Sequence, residues 1–171
     1  MWGKPVDTIV YPRDYSGPGS SAFQPLAFGS WLTVRSSVTG EDAGRVTIRQ
    51  PIDVTDAARD AALPAPENGV YLACPVVVDV DRDALSDPRA DVKLPEGDFR
   101  PPTSFDGDWP DPAGILLPGY PRRHDLTGLD EDDRFTYYEI FDVSPETADG
   151  GQCTVWLTAA EDASWGSPWE D

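Results

Sequence analysis

Hydrophobic and polar positions alternate in several short stretches of the chain, and turn-forming residues separate these stretches. "FGSWLTVRSSV" and "GRVTIRQPI" are rich in β-branched residues and bounded by glycine, a pattern typical of strands. Gly40 and Gly44 lie between them and indicate a hairpin connection. "DRFTYYEIFDV" and "QCTVWLTA" predict two further strands towards the C-terminal end.

The longest apolar stretch, residues 69–81, predicts a strand that carries one of the two cysteines. Because side chains alternate along a strand, Cys74 lies on the same face as Val76, and Cys153 lies on the same face as Val155. Both cysteines therefore point towards the core from strands far apart in sequence. This placement predicts a disulfide across the fold, worth on the order of 4 kcal/mol and typical of an oxidising compartment. Two unrelated buried thiols in a cytosolic protein are the alternative.

Helix breakers are frequent, since eighteen prolines and fifteen glycines are scattered along the chain. Residues 53–63, "DVTDAARDAAL", form the one helical pattern. We therefore predict an all-β fold, an immunoglobulin-like antiparallel β-sandwich of about seven to nine short strands. The sandwich is expected over residues 27–160, after a Pro/Gly/Ser-rich arm or linker at 1–26 and before an acidic, tryptophan-containing tail at 161–171.

The net charge of −18 argues against partners that are themselves anionic. Such a chain repels nucleic acid and anionic lipid, so neither is expected as a partner. No apolar run approaches the roughly 18 residues of a membrane span, and "MWGKPVDTIVYPRDY" lacks the apolar core of a signal peptide. The protein is expected either in the cytoplasm or outside it, the second case implying that a leader or lipid anchor has been removed.

Four motifs favour the second location. "FGSWLTVRSSVTGEDAGRVTI", "ENGVYLACPVVVDVD", "YYEIFDVSPE" and "CTVWLT" resemble the telokin-like immunoglobulin-fold domain of actinobacterial lipoproteins and secreted antigens. The resemblance spans residues 28–160, with Ser144 as a departure in "FDVSP". It implies a secreted or cell-surface binding or interaction module, without established catalytic residues and with an unknown protein partner.

A run of aspartates follows the longest predicted strand, and its spacing raises the question of calcium. Asp79, Asp81, Asp83 and Asp87 match the first, third, fifth and ninth positions of an EF-hand loop. The glycine and the glutamate that such a loop requires are replaced by Ala84 and Ala90, so an EF-hand is excluded. Two hypotheses remain, namely a looser Ca²⁺ site at a strand end and a solvated acidic loop without any cofactor.

Other candidate residues point to binding rather than catalysis. His124 is the sole histidine, which excludes zinc sites built on several histidines, and no nucleophile elbow accompanies it. Arg122, Arg123 and His124 form the one basic island, and Trp109, Trp165 and Trp169 lie in predicted loops or the tail. These six residues are candidates for a partner surface, although such tryptophans also pack over sandwich edges.

Three functions therefore remain open. The first is a non-catalytic binding or structural module, the second is a calcium-binding β-sandwich, and the third is a hydrolase that uses a pair of carboxylates.

Overall fold

The structure is a computed structural model that describes most of the chain, namely residues 6–11, 15, 17–85, 87, 91–100, 110, 112–126, 134–158 and 161–168. Within these residues it has ten strands and two short helices. The strands are β1 (Val6–Val10), β2 (Leu32–Ser36), β3 (Asp42–Ile48), β4 (Ile52–Asp53), β5 (Val70–Val80), β6 (Asp91–Lys93), β7 (Glu96–Arg100), β8 (Arg134–Val143), β9 (Gln152–Trp156) and β10 (Asp162–Gly166). The helices are α1 (Thr55–Asp60) and α2 (Pro145–Ala148).

Seven strands form the larger sheet, with β5 near its centre. β8 pairs with β5 along almost its full length, and β3 and β4 pair with β5 in succession on the opposite edge. β2, β1 and β6 follow in that order. The β1–β6 pair is parallel and the other pairs are antiparallel, so the larger sheet is mixed. Among the described strands, β8 thus lies at an edge of the larger sheet.

The smaller sheet has three antiparallel strands in the order β10-β9-β7. Its inward side chains, including Phe99, Val155 and Trp165, are fully buried against inward side chains of β2, β3, β5 and β8. The Cys74–Cys153 disulfide joins β5 to β9 across this core, with the two Cα atoms 6.2 Å apart. The all-β sandwich and the disulfide predicted from the alternation are both confirmed.

A second apolar cluster covers the outer face of the larger sheet. Tyr71 and Ala73 on β5 and Ile140 on β8 pack there against Ala58 of α1 and against Leu117. β5 is therefore buried on both faces, which explains why its sequence is apolar almost throughout. The predicted helix is confirmed in a shorter form, because α1 ends at Asp60.

Both chain ends contribute more to the fold than the sequence predicts. β1 lies inside the larger sheet, so residues 1–26 are not simply an arm or linker. Leu26 forms a bridge to Trp165, and β10 is the third strand of the smaller sheet, so residues 161–171 are not simply a tail. The boundaries predicted at 26 and 161 are wrong because long-range strand pairing extends the sandwich beyond them.

Candidate functional site

A pocket of about 320 Å³ opens where the edge strands β7 and β8 come together. Two segments near residues 112–115 and 122–123 complete its wall. The residues that carry its chemistry are Glu96, Gly97, Ile115, Arg122, Arg123, Tyr138 and Glu139. A volume of this size is at the lower end of small-molecule sites and suits a ligand head group or a single side chain.

Residues 113–121 form a segment that covers the outer edge of β8 and is hydrogen-bonded to it at two places. Ala113 N donates to Ile140 O at 2.8 Å, and Tyr138 N donates to Pro121 O at 2.9 Å. Between these contacts the chain leaves the strand, and buried Leu117 anchors it on the outer face of the larger sheet. The segment therefore provides hydrogen-bond partners for part of the edge of β8 and leaves space for the pocket beside it.

Glu139 is a partly buried ionisable side chain that lines this pocket. It pairs in register with Cys74 on β5, and it shares the inward parity of Tyr137 and Phe141. The backbone N–H of Gly97 donates a hydrogen bond to it. A Cβ at residue 97 would lie only 2.3 Å from Glu139 Cγ, so the glycine makes room for this carboxylic side chain.

The environment of Glu139 favours its neutral form. The pKa of Glu139 is raised from 4.5 to about 7, mainly by burial and to a smaller extent by the carboxylates of Glu96 and Asp98. The positive charge of Arg123 and the Gly97 hydrogen bond act in the opposite direction. Glu139 therefore changes protonation state close to neutral pH, where a buried carboxyl is able to act as a switchable ligand or as an acid–base group.

The basic island predicted as a partner surface borders the same pocket. Arg123 Nη2 lies 3.0 Å from Glu96 Oε1, and Arg122 Nη2 lies 3.3 Å from Asp125 Oδ1. Each of the two arginines therefore forms an ion pair with a neighbouring carboxylate. The His124 side chain lies outside the described part of the structure.

The tryptophans predicted to form a partner surface include one that is buried in the core. Trp165 is fully buried in β10, and its Nε1 donates to Ser30 O at 2.8 Å, so its assignment to a partner surface is wrong. The sequence predicts a tail at this position, but β10 pairs with β9, and Trp165 therefore completes the core. Trp109 and Trp169 lie outside the described residues.

Asp79, the first residue of the predicted calcium site, is engaged by two arginines. Its carboxylate accepts from Arg45 Nε at 2.9 Å and from Arg134 Nη2 at 2.9 Å. The hydrogen bond from Arg134 is the main reason that the pKa of Asp79 is lowered. Arg45 also stacks on Trp31, with the guanidinium carbon 3.9 Å from the ring centroid. Asp79 thus belongs to a surface cluster of ion pairs.

The other three aspartates do not complete a metal site with Asp79. Asp81 Oδ1 accepts from Asp83 N at 3.1 Å and caps a short 3-10 turn. No group of three or more histidine, cysteine or acidic residues within the described part of the chain is placed to hold a metal ion, and that part includes Asp87. The described residues therefore do not assemble the predicted calcium site: arginines engage the carboxylate of Asp79, and the backbone N–H of Asp83 engages that of Asp81.

The sequence carries a signal for Glu139 in the alternation of β8. In "DRFTYYEIFDV", alternation puts residues 135, 137, 139, 141 and 143 on one face, and Glu139 is the one charged residue among four apolar or aromatic residues. An acidic residue at an inward position of a strand indicates a special environment.

Comparison with known proteins gives no match: no protein family, no curated protein and no solved structure matches the chain. None of the helices in the described residues is long and apolar enough to cross a membrane. The similarity to telokin-like domains remains a prediction based on the four short motifs.

Proposed function

We propose that the protein is a non-catalytic binding module of the secreted or cell-surface type, and that it binds its ligand in the pocket between β7 and β8. The pocket with the inward carboxyl of Glu139 is the observation that carries this proposal. The Cys74–Cys153 disulfide supports an oxidising location. The resemblance to telokin-like domains supports the same location and a role in binding.

Binding is favoured over catalysis because the described lining residues of the pocket do not include two carboxyls free of an arginine partner. Of the described lining residues, Glu96 and Glu139 carry carboxyls, and Glu96 is paired with Arg123. A glycosidase requires one carboxyl as an acid and a second as a base or nucleophile. With Glu96 paired with an arginine, the described lining residues offer Glu139 no second free carboxyl for this chemistry.

The binding function can be tested by amide NMR with a library of small cationic, anionic and neutral fragments. We expect shift changes to cluster at Gly97, Tyr138 and Ile140. The Gly97→Ala variant should lose them, because its new Cβ displaces the Glu139 side chain. Fragment contacts that cluster elsewhere, or that survive in a folded Gly97→Ala protein, contradict the proposed site.

A carboxylate-based hydrolase is the second candidate, because the pKa of Glu139 at about 7 suits an acid–base group. Aryl esters and aryl glycosides provide the test, with wild-type protein and the Glu139→Gln variant assayed side by side. The non-catalytic proposal predicts equal background rates. Wild-type turnover with an apparent pKa near 7, reduced at least about 100-fold in Glu139→Gln, would overturn it.

A further inference from the structure

The charges around the pocket differ in how far they are already neutralised. Arg122 is paired with Asp125, and Arg123 is paired with Glu96. Within the described residues, the close contact of the Glu139 carboxyl is the hydrogen bond from Gly97 N–H. A carboxylate offers about four acceptor positions, so Glu139 retains the capacity to bind a further donor.

The surroundings of Glu139 also determine which charge is attracted. Arg123 is the neighbouring charge that acts most strongly on Glu139, and Glu96 and Asp98 on β7 partly offset it. The chain as a whole carries a net charge of −18. A cation is thus drawn by the field of the molecule and by the ionised carboxylate of Glu139 itself.

The remaining walls of the pocket are apolar or aromatic. Ile115 and Ile140 provide aliphatic surface, and Tyr138 provides an aromatic ring. Tyr138 is held by an edge-to-face contact with Tyr120, with ring centroids 5.0 Å apart. An aliphatic stem fits against the isoleucines, and a cationic head gains from an aromatic neighbour as well as from a carboxylate.

We propose that this pocket binds an alkylammonium or alkylguanidinium group, with its cationic head at Glu139 and its stem against Ile115 and Ile140. The inference rests on the proposed binding function and specifies its ligand class. Such groups occur both in free amines and in the lysine and arginine side chains of partner proteins.

The pH dependence of binding follows from the ionisation of Glu139. A cation binds the ionised carboxylate, and alkylammonium ions stay protonated up to about pH 10. The groups that face Glu139 are Arg123, Glu96, Asp98 and Tyr137. Burial raises the pKa of Tyr137 well above its usual value, so it stays neutral here. With the Glu139 pKa at about 7, affinity should rise about tenfold from pH 6 to pH 8.

The experiment is a calorimetric titration with n-butylammonium and n-butylguanidinium, using n-butanol and butyrate as neutral and anionic isosteres. We expect saturable binding of at least one of the two cations and no binding of the isosteres. Butyrate binding in their place would show that the pocket uses its arginines, which overturns the cation proposal while leaving a binding pocket. Silence from all four probes at pH 8 overturns the cation proposal as well, whereas fragment contacts in the NMR screen would still support the site.

Variants assign the effect to Glu139. Glu139→Gln should weaken cation binding at pH 8 by at least about tenfold and remove its pH dependence. Glu41→Gln is the matched control, because it makes the same charge change at an exposed residue just before β3. Equal losses in both variants would assign the effect to net charge and overturn the proposal.

A further titration with N-acetyl-lysine amide distinguishes the two sources of the ligand group. Tighter binding than n-butylammonium indicates a lysine side chain of a partner protein, and weaker binding indicates a free amine. Either order is consistent with the cation site.

Discussion

Glu139 shows how one inward residue determines the character of a site. A carboxyl at this position loses hydration because the strand alternation directs it between the sheets, beside Gly97. Because of this loss of hydration, the carboxyl stays neutral up to about pH 7. The nearby charge of Arg123 stabilises its ionised form. The same desolvation that makes Glu139 a useful ligand therefore makes it a source of instability at higher pH.

We predict that stability depends on pH through this residue. The pKa of Glu139 is about 7 in the folded protein and 4.5 as the reference value, so the folded state holds this proton more tightly. The contribution of this bound proton to the free energy of unfolding is fully present below pH 4.5 and is lost as the pH rises through 7. Between pH 4 and pH 8 the stability of wild type relative to Glu139→Gln should fall by about 3 kcal/mol.

Denaturant unfolding of both proteins across this pH range measures the difference, and other titrating groups cancel in the comparison. Parallel stability curves would show that Glu139 ionises equally easily in the folded and unfolded states.

Sequence reasoning at the residue scale succeeded for the cysteines and failed for the aspartates. Alternation assigned Cys74 and Cys153 to inward positions because each lies in a regular apolar strand. The spacing of the aspartates, which is visible in the sequence, predicts Asp79 as a calcium ligand. Its partners Arg45 and Arg134 come from β3 and β8, at separations of 34 and 55 residues, and local spacing carries no information about them.

At the scale of elements, the terminal strands were the hardest to predict. β1 is short and surrounded by turn formers, and its parallel partner β6 lies about 85 residues further along the chain. β10 has the sequence "DASWG", in which small and polar residues mask a strand. Its Ser164 is buried and contacts Thr154 Oγ1 at 3.0 Å, which makes a polar residue acceptable inside the core.

We predict that β10 is required for folding. Truncation after residue 160 removes Trp165, whose full burial alone corresponds to about 3–5 kcal/mol, together with every β9–β10 hydrogen bond. A loss of that size is comparable with the whole stability of a typical domain. The truncated protein should therefore show no cooperative thermal transition by circular dichroism.

Truncation after Pro168 is the matched control, because it removes three residues and leaves β10 complete. We expect it to melt like the full chain. A cooperative transition in the shorter protein would mean that β9 is stable as an edge strand without its partner.

At the scale of the whole molecule, the pattern of short apolar stretches and frequent breakers correctly predicted a β-sandwich. The outer layer was not predicted, since the packing of α1 and Leu117 onto the larger sheet depends on how distant segments return to it. The pocket was missed for the same reason, because its walls come from β7, β8 and the segment that covers the edge of β8.

The disulfide should contribute strongly to global stability. Cys74 and Cys153 are 79 residues apart, so the chain-entropy model gives about 4 kcal/mol for the link. The Cys74→Ala/Cys153→Ala double variant should lose at least this amount in urea unfolding, since two small cavities add to the loss. A change below about 1 kcal/mol would mean that the core holds the sheets together without the link.

The same link has a mechanical consequence. When the two chain ends are pulled apart, the covalent bond between β5 and β9 prevents the chain between the two cysteines, which are 79 residues apart, from being stretched out. At about 3.5 Å per residue, roughly 270 Å of contour length is withheld. The strands near the termini can be peeled away under tension, while β6, β7 and β8 stay inside a closed loop. The pocket, whose strand walls are β7 and β8, therefore lies in the part of the molecule that force at the chain ends cannot draw out to full length.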